Sequence, residues 1–355
     1  MRKLRDLALT VVVCLLSFPV SAARFDFVAF GDTAYNLPAD IPVLDGLIGR
    51  INATKPAFVV HVGDIWGANP CTEAEYQRVL KQFSQVRAPL VYTPGDNEWV
   101  DCRSPELLAA YRAYLEKRAT PEQMMLLGRV SSLDGEIASV GRDDALARLA
   151  DIRRLFFSDS RSLGGKPMTL IRQADVSAYR TMVENARWQR AGVHFVTVHV
   201  VGSQNNAYLN NPARLAESSE RTQADIDWLN TAFAEATAAD ARAVVVIMHA
   251  SLFQDGPGDR NFGKRLRGDA DGPYYWIARA VRDLGSAFGK PVLMIHGDFH
   301  EFIVDRPFAV DDGEAAPRQY DNILRLQVHG APDIRAVRVS VDPETPGVFG
   351  FTPLQ

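Results

Sequence analysis

The sequence predicts an α/β fold, and three observations carry that prediction. Short apolar runs recur along the chain, stretches with helical spacing lie between them, and most of the runs end in a Gly-Asp turn. Phe25–Asp32 reads FDFVAFGD, Phe58–Asp64 reads FVVHVGD, Leu90–Asp96 reads LVYTPGD and Lys290–His300 reads KPVLMIHGDFH. Ala243–His249 (AVVVIMH) ends in histidine instead. Apolar runs without alternation are strands buried on both faces of a sheet. Asp32, Asp64 and Asp96 are spaced by 32 residues, an ordinary length for a strand–helix–strand unit. The segments between them share no other pattern, so this is not an internal repeat.

Taken in order, the elements fit such units. Met1–Ala22 has a basic head (Arg2, Lys3, Arg5), an apolar core (Leu7–Val20) and the small residues Ser21-Ala22-Ala23 at its end. That is the layout of a secretory signal peptide, and the run is short for a membrane span. The mature chain, residues 23–355, is then expected as one exported domain, periplasmic or secreted, with no membrane anchor after cleavage. Pro38–Asn52 and Thr72–Val86 have helical spacing, Thr72 being placed to cap the second. Helices follow at Pro105–Arg118 and Pro121–Leu127, each opened by proline. Residues 129–190 are the least regular part; they read as a surface insertion able to overhang the site, with a helix near Asp143–Leu155. Val193–Val201 is a β-branched strand, Ser219–Ala238 a long helix and Tyr274–Phe288 another. Asn322–Val328 and Ile334–Val341 read as strands paired around the turn His329–Asp333.

Composition narrows the function classes. The whole chain carries a net charge of −4, and without residues 1–22 it has 36 basic against 42 acidic side chains. Such a chain has no electrostatic footprint for nucleic acid. Cys14 leaves with the leader, so Cys71 and Cys102 remain, and two cysteines in an exported protein read as one disulfide. Each follows a Gly-Asp strand end by six or seven residues, so the bridge ties two strand-end loops together.

The chemistry lies at the strand ends, where open α/β sheets bind ligands. If the five strands share one sheet, Asp32, Asp64, Asp96, His249, Asp298 and His300 converge on one spot. Unpaired, the carboxylates would repel one another and be costly to bury. Mixed imidazole and carboxylate donors suit transition metals better than calcium or magnesium. Six such groups are enough for two cations with a bridging carboxylate.

The order GD, GD, GDNE, H, GDxH on strand ends resembles the calcineurin-like metallophosphoesterases, a group that includes the purple acid phosphatases. The resemblance spans nearly the whole mature chain. It implies a four-layer α/β/β/α sandwich, two mixed sheets flanked by helices, around two transition-metal ions (Fe, Zn or Mn). It also implies hydrolysis of a small-molecule phosphate mono- or diester, a metal-bridging hydroxide attacking phosphorus in line. By position, Asp32 and His300 serve one metal, Asp64 bridges, and Asp96, His249 and Asp298 serve the other.

The chain departs from the family's motifs in three places. The first motif, Asp32-Thr33-Ala34, lacks the usual histidine, and Tyr35 one residue further on is a possible ligand. Asn97 stands where the family has the histidine that stabilises the transition state or protonates the leaving group. An amide donates a hydrogen bond but cannot deliver a proton, so His61, His199 and His296 are the remaining candidates for proton delivery. His61 and His296 read otherwise as donors to the ligands or as core histidines. Finally, Asp96 and Asp298 replace neutral ligands, which holds cations harder and raises the pKa of bound water. The competing reading is therefore a catalytically degenerate, metal-stabilised secreted binding protein of the same fold. Trp66 and Trp99 are expected as pocket walls or as packing, and Arg187 as a phosphate clamp or a surface ion pair.

Overall fold

Alternation along the first strand decides the layering. In β1 (Phe25–Phe30), Phe27 and Ala29 point to one side and Val28 and Phe30 to the other, and all four are fully buried. A strand buried on both faces needs a layer on each side. The computed structural model describes residues 23–67, 71–103, 145–208, 211–253, 272–308 and 320–354, with part of 106–125. The leader expected at 1–22 lies outside the described residues.

The outer side of β1 packs on helices. Val28 and Phe30 join Leu44, Leu47, Ile48 and Ile51 of α1 (Ile41–Thr54), and Tyr76, Val79 and Phe83 of α2 (Glu73–Phe83). α2 begins as expected, with the Thr72 hydroxyl accepting from the Glu75 N–H at 3.3 Å. Leu149, Ile152 and Phe156 of α3 (Ala145–Phe156) complete that layer. The inner side of β1 faces a second sheet.

That first sheet has the order β12-β11-β1-β2-β3, with β2 Val59–His61, β3 Leu90–Tyr92, β11 Ala336–Val341 and β12 Phe349–Leu354. β1, β2 and β3 run parallel, while β11 and β12 are antiparallel additions. The second sheet contains β4 (Ile171–Arg172), β5 (Ala186–Arg190), β6 (Val193–Thr197), β7 (Ala243–Ile247), β8 (Val292–His296), β10 (Ile323–Gln327) and β9 (Ile303–Asp305), in that spatial order. Its middle strands β6, β7, β8 and β10 are parallel. α4 (Pro212–Ala238) and α5 (Tyr275–Phe288) cover the outer face through Trp228, Leu229, Phe233, Ile277 and Val281. Between the sheets lies a dry core of Phe27, Phe58, Val60 and Val62 against Phe195, Val245, Ile247, Leu293 and Ile295. The result is the four-layer α/β/β/α sandwich that the resemblance implies.

Four expectations change. The five site strands do not share one sheet: β1 to β3 belong to the first sheet, β7 and β8 to the second. The C-terminal strands β10 and β11 do not pair; the turn between them carries the chain from one sheet to the other. Both remain apolar on the inner face (Leu326, Val337, Val339), which is why the sequence reads alike for either arrangement. The described part of the 129–190 segment does not overhang the site. Phe156 is buried against Tyr76, Phe83 and Tyr92, and Leu163 exchanges backbone hydrogen bonds with Leu90 at 2.8 and 2.9 Å. Lastly, the long helix starts seven residues early, because Asn211 accepts from the Arg214 N–H at 3.2 Å and Pro212 occupies the first turn.

Candidate metal centre

Each candidate ligand lies just past the carboxyl end of a strand: Asp32 after β1, Asp64 after β2, Asp96 after β3, His249 after β7, and Asp298 and His300 after β8. The turns that place them are tight. Asp32, Asp64, Asp298 and His300 all have positive φ (50°, 53°, 81° and 62°). Left-handed backbone at non-glycine residues is costly and concentrates at functional sites. Backbone bonds knit the turns together: the Asp32 N–H donates to the Gly63 carbonyl (3.0 Å) within the first sheet, Gly297 to His249 (3.0 Å) within the second, and Ala331, in the turn that crosses from β10 to β11, to Asp32 (2.8 Å).

Two groups of donor atoms result, each within 4.8 Å: Asp32, Asp64 and His300, and Asp64, Asp96 and His249. Asp64 is common to both. His249 Nδ1 bonds the Val62 carbonyl at 2.8 Å, which turns Nε2 toward Asp64 Oδ1 (3.4 Å) and Asp96 Oδ1 (3.5 Å). His300 Nδ1 likewise bonds the Ala331 carbonyl at 2.7 Å, and its Nε2 lies 3.6 Å from Asp32 Oδ1. Such backbone bonds fix ring and tautomer in ligating histidines. Asp298 belongs to neither trio. Its N–H donates to Asp32 Oδ1 (2.9 Å), and its Oδ2 accepts from the Ser251 N–H (3.0 Å).

Electrostatics shows what such a cluster needs. Burial pushes Asp32 up to about 8 and Asp298 to about 6, and holds Asp64 well above the usual carboxylate range. His249 is pulled down by burial, but Asp64, Asp96, Asp32 and Asp298 outweigh that and hold it well above its ordinary value. At Asp96, burial works upward, and the hydrogen bond and charge of His249 bring the group to about 2. The carboxylates thus compete for one imidazolium, and protons take the place of further positive charge.

The residues fit cations. Asp32 Oδ2 is buried without a hydrogen-bond partner, and His249 Nε2, also buried, comes no closer than 3.4 Å to the carboxylates it faces. Four glycines let the ligands sit directly on backbone. A Cβ at Gly95 would lie 2.1 Å from Asp64 Oδ1, one at Gly297 2.0 Å from Asp32 Oδ2, one at Gly330 2.6 Å from Asp32 Cβ, and one at Gly202 2.5 Å from Asp96 Oδ2. None of these four has φ in the left-handed region, so room and not backbone conformation requires glycine there.

Tyr35 and Asn97 complete the first group. The Tyr35 hydroxyl donates to Asp64 Oδ2, lies 3.1 Å from His300 Nε2 and accepts from Asn97 Nδ2 at 3.0 Å. Burial and the charge of Asp64 hold its phenol well above the usual range. Asn97 also grips Asp64 through its amide (Nδ2 to Oδ2, 2.6 Å) and its backbone N–H (to Oδ1, 3.2 Å).

The other candidates are placed elsewhere. His61 is enclosed by Phe30, Phe83 and Tyr92 in the helix-side core, and burial lowers it to about 3. His296 shares the outer face of β8 with Val292 and Met294 by alternation, and burial lowers it to about 3 as well. His199 Nδ1 pairs with Glu184 Oε1 at 2.8 Å, with burial lowering the ring. A proton-donor role finds no support at these three, all fully buried and held neutral. Trp66 and Trp99 are packing residues, completely buried. Arg187 bonds Glu235 at 2.7 Å and stacks on Trp228, so it is an ion pair and not a clamp. Two cavities, of about 320 Å³ along β5 and β6 and about 650 Å³ beside Ala23–Phe25, contain none of the candidate ligands.

Glu98 is a residue the sequence reading passed over. Fully buried, its Oε1 accepts from Gly95 N–H (3.1 Å), Ile65 N–H (3.3 Å) and the Tyr92 hydroxyl (3.0 Å), bracing the loops that carry Asp64 and Asp96. Its signal was the acidic fourth position of GDNE. Cys71 and Cys102 form the expected disulfide, with Cα atoms 5.6 Å apart.

No protein-family profile matches the chain, and no curated protein does. Solved structures of similar shape include a dimetal phosphatase from Danio rerio, 10% identical, with 93% of this chain and 98% of that chain covered and a TM-score of 0.48. GAP50, the anchor in the inner membrane complex of Plasmodium, is 10% identical over 94% of this chain and 89% of its own, with a TM-score of 0.42. The protein TT1561 of Thermus thermophilus is 9% identical over 94% of this chain and 99% of its own, with a TM-score of 0.40.

Proposed function

We propose that this chain is an exported phosphoesterase of the calcineurin-like metallophosphoesterase type, working with two transition-metal cations on a small-molecule phosphoester. The observation that carries the reading is the membership of Asp64 in both donor groups. Asp32, Asp64 and His300 would hold one cation, with Tyr35 beside them, and Asp64, Asp96 and His249 the other, with Asp298 next to Asp96. When bound, two such ions supply Lewis-acid charge for the phosphoryl oxygens and a water acidic enough to act as nucleophile.

The chain's own residues do the rest. Asn97 Nδ2 lies at Asp64 and donates both of its hydrogens within the site, to Asp64 Oδ2 and to the Tyr35 hydroxyl, so it orients those two groups and would reach a phosphoryl oxygen by releasing one of them. It has no proton to give away. Since His61, His199 and His296 are buried and neutral, leaving-group protonation is weak, and the reading favours esters whose leaving group is a weak base. The Cys71–Cys102 disulfide supports the oxidising compartment that the leader implies. No helix among the described residues is long and apolar enough to cross a membrane.

Among the described residues no histidine is placed to protonate a leaving group, which favours the second reading, a metal-stabilised binding protein without turnover. Elemental analysis of the purified mature chain, followed by a panel of aryl and alkyl phosphomonoesters and diesters, tests both. Two ions per chain and turnover of aryl esters are expected. Two ions with no turnover would leave the binding protein; no ions would remove both readings.

A further inference from the structure

We propose that Gly202 and Ser203 are a positioning element for one donor group only, fixing Asp96 so that they set the affinity of the Asp64–Asp96–His249 subsite and not that of its neighbour. The inference rests on the dimetal reading above, and neither residue has a place in that reading.

The turn after β6 is unlike the others around the site. Ser203, Gln204, Asn205 and Asn206 all have positive φ (48°, 61°, 51° and 63°). Four consecutive left-handed residues, none of them glycine, persist only where their surroundings enforce it. Here they do. Fully buried Arg221 donates from Nη1 to Asn205 Oδ1 (2.6 Å) and from Nη2 to the Asn205 carbonyl (2.9 Å). The Tyr274 hydroxyl donates to the Val201 carbonyl (3.0 Å) and accepts from the Asn205 N–H (3.2 Å), while Asn206 Nδ2 donates to Glu217 Oε2 (2.8 Å).

This rigid turn abuts two carboxylates. A Cβ on Gly202 would lie 2.5 Å from Asp96 Oδ2 and 2.9 Å from Asp298 Oδ1, so the bare backbone forms the wall between them. The adjacent Ser203 hydroxyl donates to Asp101 Oδ2. Asp101 closes the turn that begins at Asp96, its N–H donating to the Asp96 carbonyl at 3.0 Å. Ser203 therefore pins the Asp96 turn, from the first sheet, to the β6 end of the second. The other trio has its own wall: a Cβ on Gly330 would meet Asp32 Cβ at 2.6 Å and the His300 ring at 2.8 Å. The two subsites are backed by different turns although they share Asp64.

The test is a Mn²⁺ titration of metal-stripped full mature chain by calorimetry, with elemental analysis of the loaded protein. Wild type should show two classes of site. Groups that hydrogen-bond a metal's surroundings typically change affinity by about 10–100-fold, so Ser203→Ala should weaken one class by that factor and leave the other within about twofold. Gly202→Ala should abolish the same class, leaving one ion per chain, and Gly330→Ala the opposite class. Equal loss of both classes in Ser203→Ala and Gly202→Ala, or no change in either, overturns the proposal while the dimetal reading stands. A wild type that takes up no Mn²⁺ or other divalent transition metal overturns both.

Discussion

At the scale of single residues, the site is an arrangement of negative charge that needs a counter-charge in its centre. Asp64 matters most because both donor groups contain it. Asp64→Ala should lose both cations, and elemental analysis finding two ions still bound would remove it from the bridging position. On the proposed phosphoesterase reading, Asn97 bears most on the chemistry. It stands beside Asp64 with an amide that cannot protonate a leaving group. Asn97→His should raise turnover of alkyl esters; general acid catalysis contributes roughly 10²–10⁴-fold where it operates. Aryl esters should change little, since their leaving groups depart unprotonated. Equal gains on both ester classes would show that position 97 does not face the leaving group. The convergence of Asp32, Asp64, Asp96, His249 and His300 was legible because strand-end acids and histidines, most with glycine beside them, are local features of the sequence. Glu98 carried only the acidic fourth position of GDNE, and Ser203 in SQNN has the composition of ordinary loop.

At the scale of elements, the strand-end loops are held by covalent and backbone ties. The Cys71–Cys102 bridge joins the start of α2 to the loop after β3, enclosing a sequence separation of 31. Cys71→Ser with Cys102→Ser should lower stability by about 2–4 kcal/mol in urea unfolding. It should also loosen the turn that carries Asp96 and Asn97. An unchanged midpoint would mean that the loops are held by the Glu98 bonds without the bridge. Helix positions were readable because their apolar spacing survives any tertiary arrangement, as α1 and α2 show. The start of α4 was misplaced because the polar run Glu217-Ser218-Ser219-Glu220 conceals a helix whose cap is further upstream at Asn211. Ser218 and Arg221 are buried, so polarity there reports an internal network and not solvent.

At the scale of the whole molecule, stability and metal content are linked through the same carboxylates. The folded-state pKa of Asp32 is raised from 3.8 to about 8 and that of Asp298 to about 6, with Asp64 and His249 raised too. A group raised on folding stabilises below its unfolded pKa, and the contribution is lost as pH rises through the folded one. Asp96, lowered to about 2, acts in the opposite sense only below about pH 4. Metal-stripped protein should therefore lose stability as pH rises from about 4 to 8. Cation binding needs the same carboxylates ionised, so affinity should rise over that window. The melting-temperature difference between loaded and stripped protein should widen from about pH 4.5 to about pH 8. A difference that stays flat across that range would mean that the cations do not bind at these carboxylates.

The sequence by itself determined the α/β class, the strand ends that carry the acids and histidines, and the pairing of Cys71 with Cys102. These are local properties: apolar periodicity and turn chemistry act over a few residues and are written in order along the chain. Tertiary structure decided which sheet each strand joined, and thereby that the two donor groups draw on both sheets. β10 and β11 show why, since two strands with the same inward apolar residues suit pairing with each other or, as here, β10 with β8 and β11 with β1 at the other end of the chain. Tertiary structure also decided the fate of the histidines. His61 and His249 both lie at the ends of buried strands, yet one ring turned into the core against Phe30 and Phe83, and the other turned between Asp64 and Asp96. What separates them is the side of the strand end each ring faces and the chain that packs there, which only the folded sandwich brings together.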